Sequence, residues 1–259
     1  MTSSHFDTTM GGRGRIFPTT LWGSVLEAAK SQSPASREHL TRLVEMYWKP
    51  VYVYVRATWH KSVEEAKDLT QAFFAHFLEK DYIAHLHPDK GSFRGYLKEA
   101  LRHFLIDANR AEQVRKPKEG MFRLDALPGE LERLGPVAPG ESPERAYDRE
   151  WFRCLLGGAI DELKKRLVED AKAVYFEVFR VYCLDAETDT AHSTVLAGEV
   201  PGGLTYGEVG ARLGIKESDV RNYLTHCRRL LRQILKERIR DYVASDEDVE
   251  RELEEVAGG

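Results

Sequence analysis

Apolar residues in this chain recur every three or four positions almost throughout, and that spacing limits the fold more than any other feature. It places each apolar set along one side of an α-helix. The clearest series is Val220, Leu224, Cys227, Leu231 and Ile234, spaced by four, three, four and three. Only the run Val51-Tyr52-Val53-Tyr54-Val55 competes as a strand. The expected fold class is therefore all-α. With 259 residues, and a prior of roughly 150 residues per domain, two small domains or one large one are both open. The longest strongly apolar stretches, residues 51–55 and 72–78, fall short of the ~20 residues that a bilayer span needs. The first residues, 1–14, carry no continuous apolar core of the kind a secretory signal has. A cytoplasmic location is the resulting expectation.

Cys154, Cys183 and Cys227 are widely spaced, odd in number and without a Cys-x-x-Cys pair. That usage predicts reduced core thiols rather than a disulfide framework or a zinc site. His85-Leu86-His87 with Asp89 is the nearest thing to a metal cluster, and it reads as a loop fragment. No Gly-rich phosphate loop, nucleophile elbow or His-Glu-x-x-His is present. An enzyme, a bound metal and a cofactor are accordingly not expected.

The formal net charge of −4 conceals a segregated pattern. Residues 62–81 carry −3, residues 86–118 carry +4, residues 125–150 carry −4, residues 204–242 carry +4, and the tail from Val243 carries −6. Two basic stretches thus flank an acidic segment bearing Pro128, Gly129, Gly135, Pro136, Pro139, Gly140 and Pro143. The pattern suggests two modules joined by a linker that repels polyanions. Basic stretches of this kind either follow a phosphate backbone or are solvated helix faces.

After a Gly/Arg-bearing start, a first helix is expected to carry Leu40, Leu43, Val44 and Tyr47 on one face until Pro50 kinks or ends it. A second opens with the capping box Ser62-Val63-Glu64-Glu65 and has the core stripe Val63, Ala66, Leu69, Phe73 and Phe77. Glu64, Glu65, Asp68 and Gln71 fall opposite, an acidic patch aimed at solvent or a partner. A third helix buries Phe93, Tyr96, Leu97, Ala100 and Phe104. Along its other side Arg94, Lys98, Arg102, Asn109 and Gln113 form a polar and basic track of the type that follows phosphates. Two further amphipathic helices are expected at residues 151–168 and 171–184, then a loop at 185–203 rich in Thr, Gly and Pro.

Residues 204–218 read as a short helix, a glycine turn at Gly214 and the cap of a longer helix, which is a helix-turn-helix. The longer helix points Arg221, Asn222, Thr225, Arg228, Arg229 and Arg232 outward. In a helix lying in the major groove, residues near its N-terminus reach base edges while arginines clamp phosphates.

Several stretches resemble one family. Glu65-Ala66-Lys67-Asp68-Leu69-Thr70-Gln71-Ala72-Phe73-Phe74 is similar to the core-polymerase-binding helix of the extracytoplasmic-function group of sigma-70 family sigma factors. Gly91-Ser92-Phe93-Arg94-Gly95-Tyr96-Leu97 is similar to the start of that group's promoter-melting helix, and residues 204–231 to its minus-thirty-five reader. Phe17-Pro18-Thr19-Thr20-Leu21-Trp22, Asp68-Leu69-Thr70-Gln71, Leu78-Glu79-Lys80-Asp81-Tyr82, His103-Phe104-Leu105 and Ser142-Pro143-Glu144-Arg145 resemble the subgroup linked to Ser/Thr protein kinases.

The resemblance implies a bacterial transcription initiation factor of two helical domains, region 2-like and region 4-like, joined by an acidic linker. It divides the chain into a disordered start at 1–16, a region 2-like domain at 17–115, a linker at 116–145, a region 4-like domain at 146–242 with its helix-turn-helix at 204–235, and an acidic tail at 243–259. Implied partners are the RNA polymerase core, through its β′ clamp helices and β flap, promoter DNA, and a Ser/Thr kinase or an anti-sigma factor; no membrane is implied. Core polymerase would meet Glu64, Glu65, Asp68 and Gln71, and Thr70 would be phosphorylated. Lys90, Arg94, Lys98, Arg102, Asn109 and Arg110 would touch the minus-ten element, and Lys216, Arg221, Asn222, Thr225, Arg228 and Arg229 the minus-thirty-five element. Lys67 and Ala72 stand where acids are common in the family, which implies weak docking that a phosphate on Thr70 would strengthen. Helical geometry instead turns Thr70 toward the apolar stripe. The rival reading is a helix-turn-helix regulator that works without polymerase. For the acidic tail two roles stay open, a packed last helix or a shield over Arg228 and Arg229.

Overall fold

The computed structural model describes residues 34–59, 61–78, 92–111, 140–185, 203–240, 243 and 246–258. The fold is all-α, and no strand occurs among the described residues. The helices are α1 (Pro34–Trp59), α2 (Val63–Phe77), α3 (Phe93–Ala111), α4 (Pro143–Glu169), α5 (Ala173–Phe179), α6 (Tyr206–Leu213), α7 (Glu217–Arg240) and α8 (Asp246–Gly258), with a π-helical turn at Arg180–Leu184 after α5. Lys90, Gln113, the His85/His87 fragment, the expected loop at 186–202 and most of the linker lie outside the described residues.

Pro50 does not end the first helix: α1 runs through it to Trp59. A proline lacks the N–H for one helical hydrogen bond, but Val51, Tyr52, Val53, Tyr54 and Val55 are all buried. A helix enclosed on every side loses its stripe, so the five residues that competed as a strand are a fully wrapped part of α1. Burying side chains of this size contributes about 1.5–3 kcal/mol each, more than one missing hydrogen bond costs.

α2 starts where the capping box places it. The Ser62 hydroxyl accepts from the Glu65 amide at 3.3 Å and the Glu65 carboxylate accepts from the Ser62 amide at 3.1 Å. Its buried face is Ala66, Leu69, Thr70, Ala72, Phe73, Phe74 and Phe77. Val63, expected at the head of this stripe, is 42% exposed, because it stands on the first turn, before α2 meets its neighbours. The rings of Phe77 and Tyr47 both pack on Phe93 of α3, and Phe73 packs on Phe104.

Ser142 caps α4, its hydroxyl accepting from the Arg145 amide, with Pro143 at the first helical position where no N–H is needed. α4 then serves two cores. Ala146, Tyr147 and Trp151 join the cluster made by α1, α2 and α3, whereas Leu156, Ala159, Leu163 and Leu167 join a second cluster with α5, the π-helical turn, α6 and α7. Ile239, Val243 and Val249, from the far end of the chain, return to the first cluster. The acidic tail packs as a last helix, with Val249 buried and Leu253 against both clusters. All three cysteines are free; Cys183 and Cys227 are buried and Cys154 partly so. Burial pushes the Cys183 thiol up to about 11 and Cys154 and Cys227 up to about 12, which makes them inert core groups.

Candidate nucleic-acid interface

The turn that joins α6 to α7 is built by local chemistry. Thr205 caps α6 in a second capping box: its hydroxyl accepts from the Glu208 amide at 3.3 Å, and the Glu208 carboxylate accepts from the Thr205 amide at 2.7 Å. Those bonds lower the Glu208 pKa. α6 ends at Gly214, whose φ of 68° is left-handed, a conformation that costs other L-residues about 1 kcal/mol. The Gly210 carbonyl accepts from the Ile215 amide at 3.0 Å, which folds the turn back on α6. A Cβ on Gly210 would lie 2.8 Å from the Ile215 carbonyl oxygen, so only glycine permits this approach. Val220, Leu224, Cys227, Leu231 and Ile234 then bury one face of α7, as their spacing predicts.

On the opposite face Lys216, Arg221, Asn222, Thr225, Arg229 and Arg232 are exposed. Arg221 is held by Glu217 at 3.3 Å and lies over the Tyr206 ring at 5.7 Å. The Thr225 hydroxyl donates to the Arg221 carbonyl at 2.9 Å, so its methyl is the part left for a groove. Arg228 departs from expectation. It is half-buried, with its guanidinium over the Tyr182 ring at 5.7 Å and beside Cys183. The position flanks the apolar stripe, and the π-helical turn covers it. Next to this face Tyr175 and Tyr223 stack at 3.9 Å with His226 edge-on to Tyr175. Burial, helped by Lys172 and Arg229, lowers the His226 pKa, keeping the ring neutral near pH 7.

The expected basic track on α3 is not one continuous exposed face. Arg94 is buried, forming ion pairs with Asp148 of α4 at 2.6 Å and Glu252 of α8 at 2.9 Å, over the Trp151 ring at 4.7 Å. Lys98 pairs with Asp148 at 2.8 Å. Arg102 is exposed but forks onto Glu99 at 2.6 and 3.0 Å. Asn109 is exposed, and Arg110 lies on α3 with its side chain outside the described set. Sequence reading missed the two carboxylates that close on Arg94; the acidity of the tail was the available signal, without an address.

On α2, Glu64, Glu65 and Asp68 are exposed. Glu64 is paired with Lys67 at 3.4 Å. The Glu65 carboxylate is occupied by Ser62 and Lys61, and these bonds hold its pKa down at about 2. Gln71 is not on the open face: it is half-buried, with its side-chain nitrogen enclosed. Thr70 is fully buried and donates its hydroxyl to the Ala66 carbonyl at 2.7 Å.

These elements define an all-α chain with two capping boxes, a tight glycine turn between α6 and α7, and exposed carboxylates on α2. Over 171 residues, 66% of its length, the chain is 28% identical to a protein of Mycolicibacterium smegmatis (strain ATCC 700084 / mc(2)155) named ECF RNA polymerase sigma factor SigE. The match covers 52% of that protein, so the chain spans about half the length of the curated relative it matches. No family model and no solved structure match the chain. Among the described residues no helix is long and apolar enough to cross a membrane, and no cluster of His, Cys, Asp and Glu is placed to hold a metal.

Proposed function

We propose that this chain is a sigma factor of the extracytoplasmic-function type, a non-enzymatic subunit that gives RNA polymerase its choice of promoter. The observation that carries the reading is the 171-residue likeness to a protein bearing that name. Two features support it: the exposed Arg221, Asn222, Thr225 and Arg229 on α7 behind a tightly built turn, and the exposed carboxylates Glu64 and Asp68 on α2. In this reading α7 lies in the major groove of the minus-thirty-five element. Glu64 and Asp68 meet arginines on the polymerase clamp, as rim ion pairs that set docking rate and selectivity more than affinity. α3 faces the minus-ten element, with Arg102 and Asn109 on its open side and Arg94 and Lys98 at its start.

Control by phosphorylation at Thr70 belongs to the same reading, and the buried, bonded hydroxyl requires that a kinase act on a form in which α2 has lifted from its seat. The deciding experiment is retention of the purified chain on bacterial core polymerase, followed by in vitro transcription from genomic fragments. Retention with initiation at defined start sites supports the proposal. Tight, sequence-specific binding to duplex DNA by the chain alone, without retention on polymerase, would make it a conventional helix-turn-helix regulator instead.

A further inference from the structure

The start of α3 is covered by the chain's own acidic helix. Glu252 of α8 is 6% exposed and sits on the Arg94 guanidinium, whose other side is taken by Asp148. Carboxylate and phosphate are the two anions that the planar fork of arginine matches. The acidic helix therefore occupies at Arg94 the place that a nucleic-acid phosphate would need. Its surroundings reinforce the exclusion, since the tail from Val243 has seven acids against Arg251 and repels a polyanion.

The seam is closed without being sealed. α8 is held by Val249, by Leu253 and by the surface pair of Lys236 with Glu250. A cleft of about 240 Å³ opens beside the contact, between α3 and α8, lined by Ser92, Lys98, Asp248, Arg251 and the paired Arg94 and Glu252, while the Glu252 oxygen on Arg94 is itself enclosed.

We infer that α8 is a releasable latch: in the free chain Glu252 competes with DNA for Arg94, and nucleic acid gains the start of α3 only when α8 lifts away. The inference rests on α3 being a DNA face. It gives the acidic tail a place to act, Arg94 beside the first cluster.

The test is the affinity of the full-length chain for a fluorescein-labelled single-stranded DNA of mixed sequence, read by anisotropy at low salt. Three single-charge variants are compared: Glu252→Gln at the latch, Glu250→Gln at its outer clamp, and Glu247→Gln, which removes one exposed acid of the same helix away from Arg94. Glu252→Gln is expected to tighten binding about fivefold or more, because affinity scales with the fraction of open chain. Glu250→Gln should tighten it less, and Glu247→Gln should stay within about twofold, the generic effect of one added charge. Equal effects of Glu252→Gln and Glu247→Gln, or none from either, overturn the latch. If circular dichroism shows that Glu252→Gln has lost helix, the comparison of Glu250→Gln with Glu247→Gln decides in the same way. Absence of DNA binding in every variant also overturns the latch, and retention of the same preparations on core polymerase then shows separately whether the sigma-factor reading stands.

Discussion

Two glycines three residues apart in α6 are expected to respond to the same substitution with opposite signs. Alanine in place of glycine in a helix is worth up to about 0.5–1 kcal/mol, because the unfolded chain has less freedom to lose. At Gly207 the new methyl would meet nothing closer than a Glu217 carboxylate oxygen at 3.8 Å, an ordinary contact, so Gly207→Ala should keep that gain and stabilise by about 0.5 kcal/mol. At Gly210 the methyl would stand 2.8 Å from the Ile215 carbonyl oxygen and 3.5 Å from the Glu217 amide nitrogen. Both atoms are backbone, in a turn already tied to the Gly210 carbonyl, so no side chain can swing aside. Overpacking of this kind costs about 1–3 kcal/mol, and after the propensity gain Gly210→Ala should destabilise by about 1–2 kcal/mol. Urea unfolding followed by circular dichroism reads both as shifts in midpoint at constant slope. Duplex-DNA affinity should fall only for Gly210→Ala, where α6 and α7 are forced apart. If Gly210→Ala proves as stable as Gly207→Ala, the turn does not approach α6 this closely and Gly210 does not fix the angle between α6 and α7.

Thr70→Val should be stable to within about 0.5 kcal/mol, since a back-bonded hydroxyl contributes little to a helix, whereas the phosphate mimic Thr70→Glu should lower stability by about 3 kcal/mol or more by burying an unpaired carboxylate; thermal unfolding checks both. An NMR titration should find the Glu65 carboxyl near 2 in the folded chain and Ser62→Ala should return it toward the usual ~4.3. The sign follows: a depressed folded pKa means that the capping box stabilises fully above the unfolded value and fades as the pH falls from there through about 2. Arg221→Ala and Asn222→Ala should change base preference by about 1–3 kcal/mol each if they read base edges, while Arg229→Ala weakens every sequence alike. Arg228→Ala should cost about 1 kcal/mol of stability through its lost packing on Tyr182, and leave base preference untouched. Arg94→Met should destabilise by about 3 kcal/mol by orphaning Glu252, and the double change Arg94→Met with Glu252→Leu should recover most of it.

What the sequence made legible was local. The three caps at Ser62, Ser142 and Thr205 depend on residues within one turn, as does the turn at Gly214, and the buried face of α7 follows from its four-three spacing. Periodicity also grouped the core residues of α2 and α7, though it left out Phe74, Leu101 and Leu105, which are buried because more than one neighbour packs on their helices. It failed where covering came from afar. A helical wheel shows that Arg94 and Lys98 share a side; it does not show that α4, with Asp148 fifty-four positions away, lies across that side. The same limitation explains Arg228, beside an apolar stripe and overlaid by the π-helical turn, and Gln71, which flanks a stripe and has its side-chain nitrogen enclosed. Val51 to Val55 competed as a strand for the converse reason: a segment buried all round has no polar period left to show.

The placement of charge at the Arg94 node is informative because apolar side chains would have made a stronger seam. Removing the Arg94 guanidinium and the Glu252 carboxylate from water costs several kcal/mol per ion, and their mutual attraction seldom returns more than that. Elsewhere the chain joins α1 to α4 mainly with Tyr47, Tyr147 and Trp151, large buried rings, and a hydrogen bond from the Tyr54 hydroxyl to Glu144 at 3.1 Å. Where α8 meets α3 it uses a cation with two anionic partners, one of them, Asp148, fixed on α4 and the other, Glu252, on the tail. Such an arrangement is directional, sensitive to salt at its exposed edge, and exchangeable for any competing anion of the right shape. If Glu252 leaves, Asp148 remains to keep Arg94 partly neutral, so opening the seam does not strand a bare charge in the core. A contact meant to last gains nothing from those properties, whereas a contact meant to be displaced by a phosphate backbone depends on all of them.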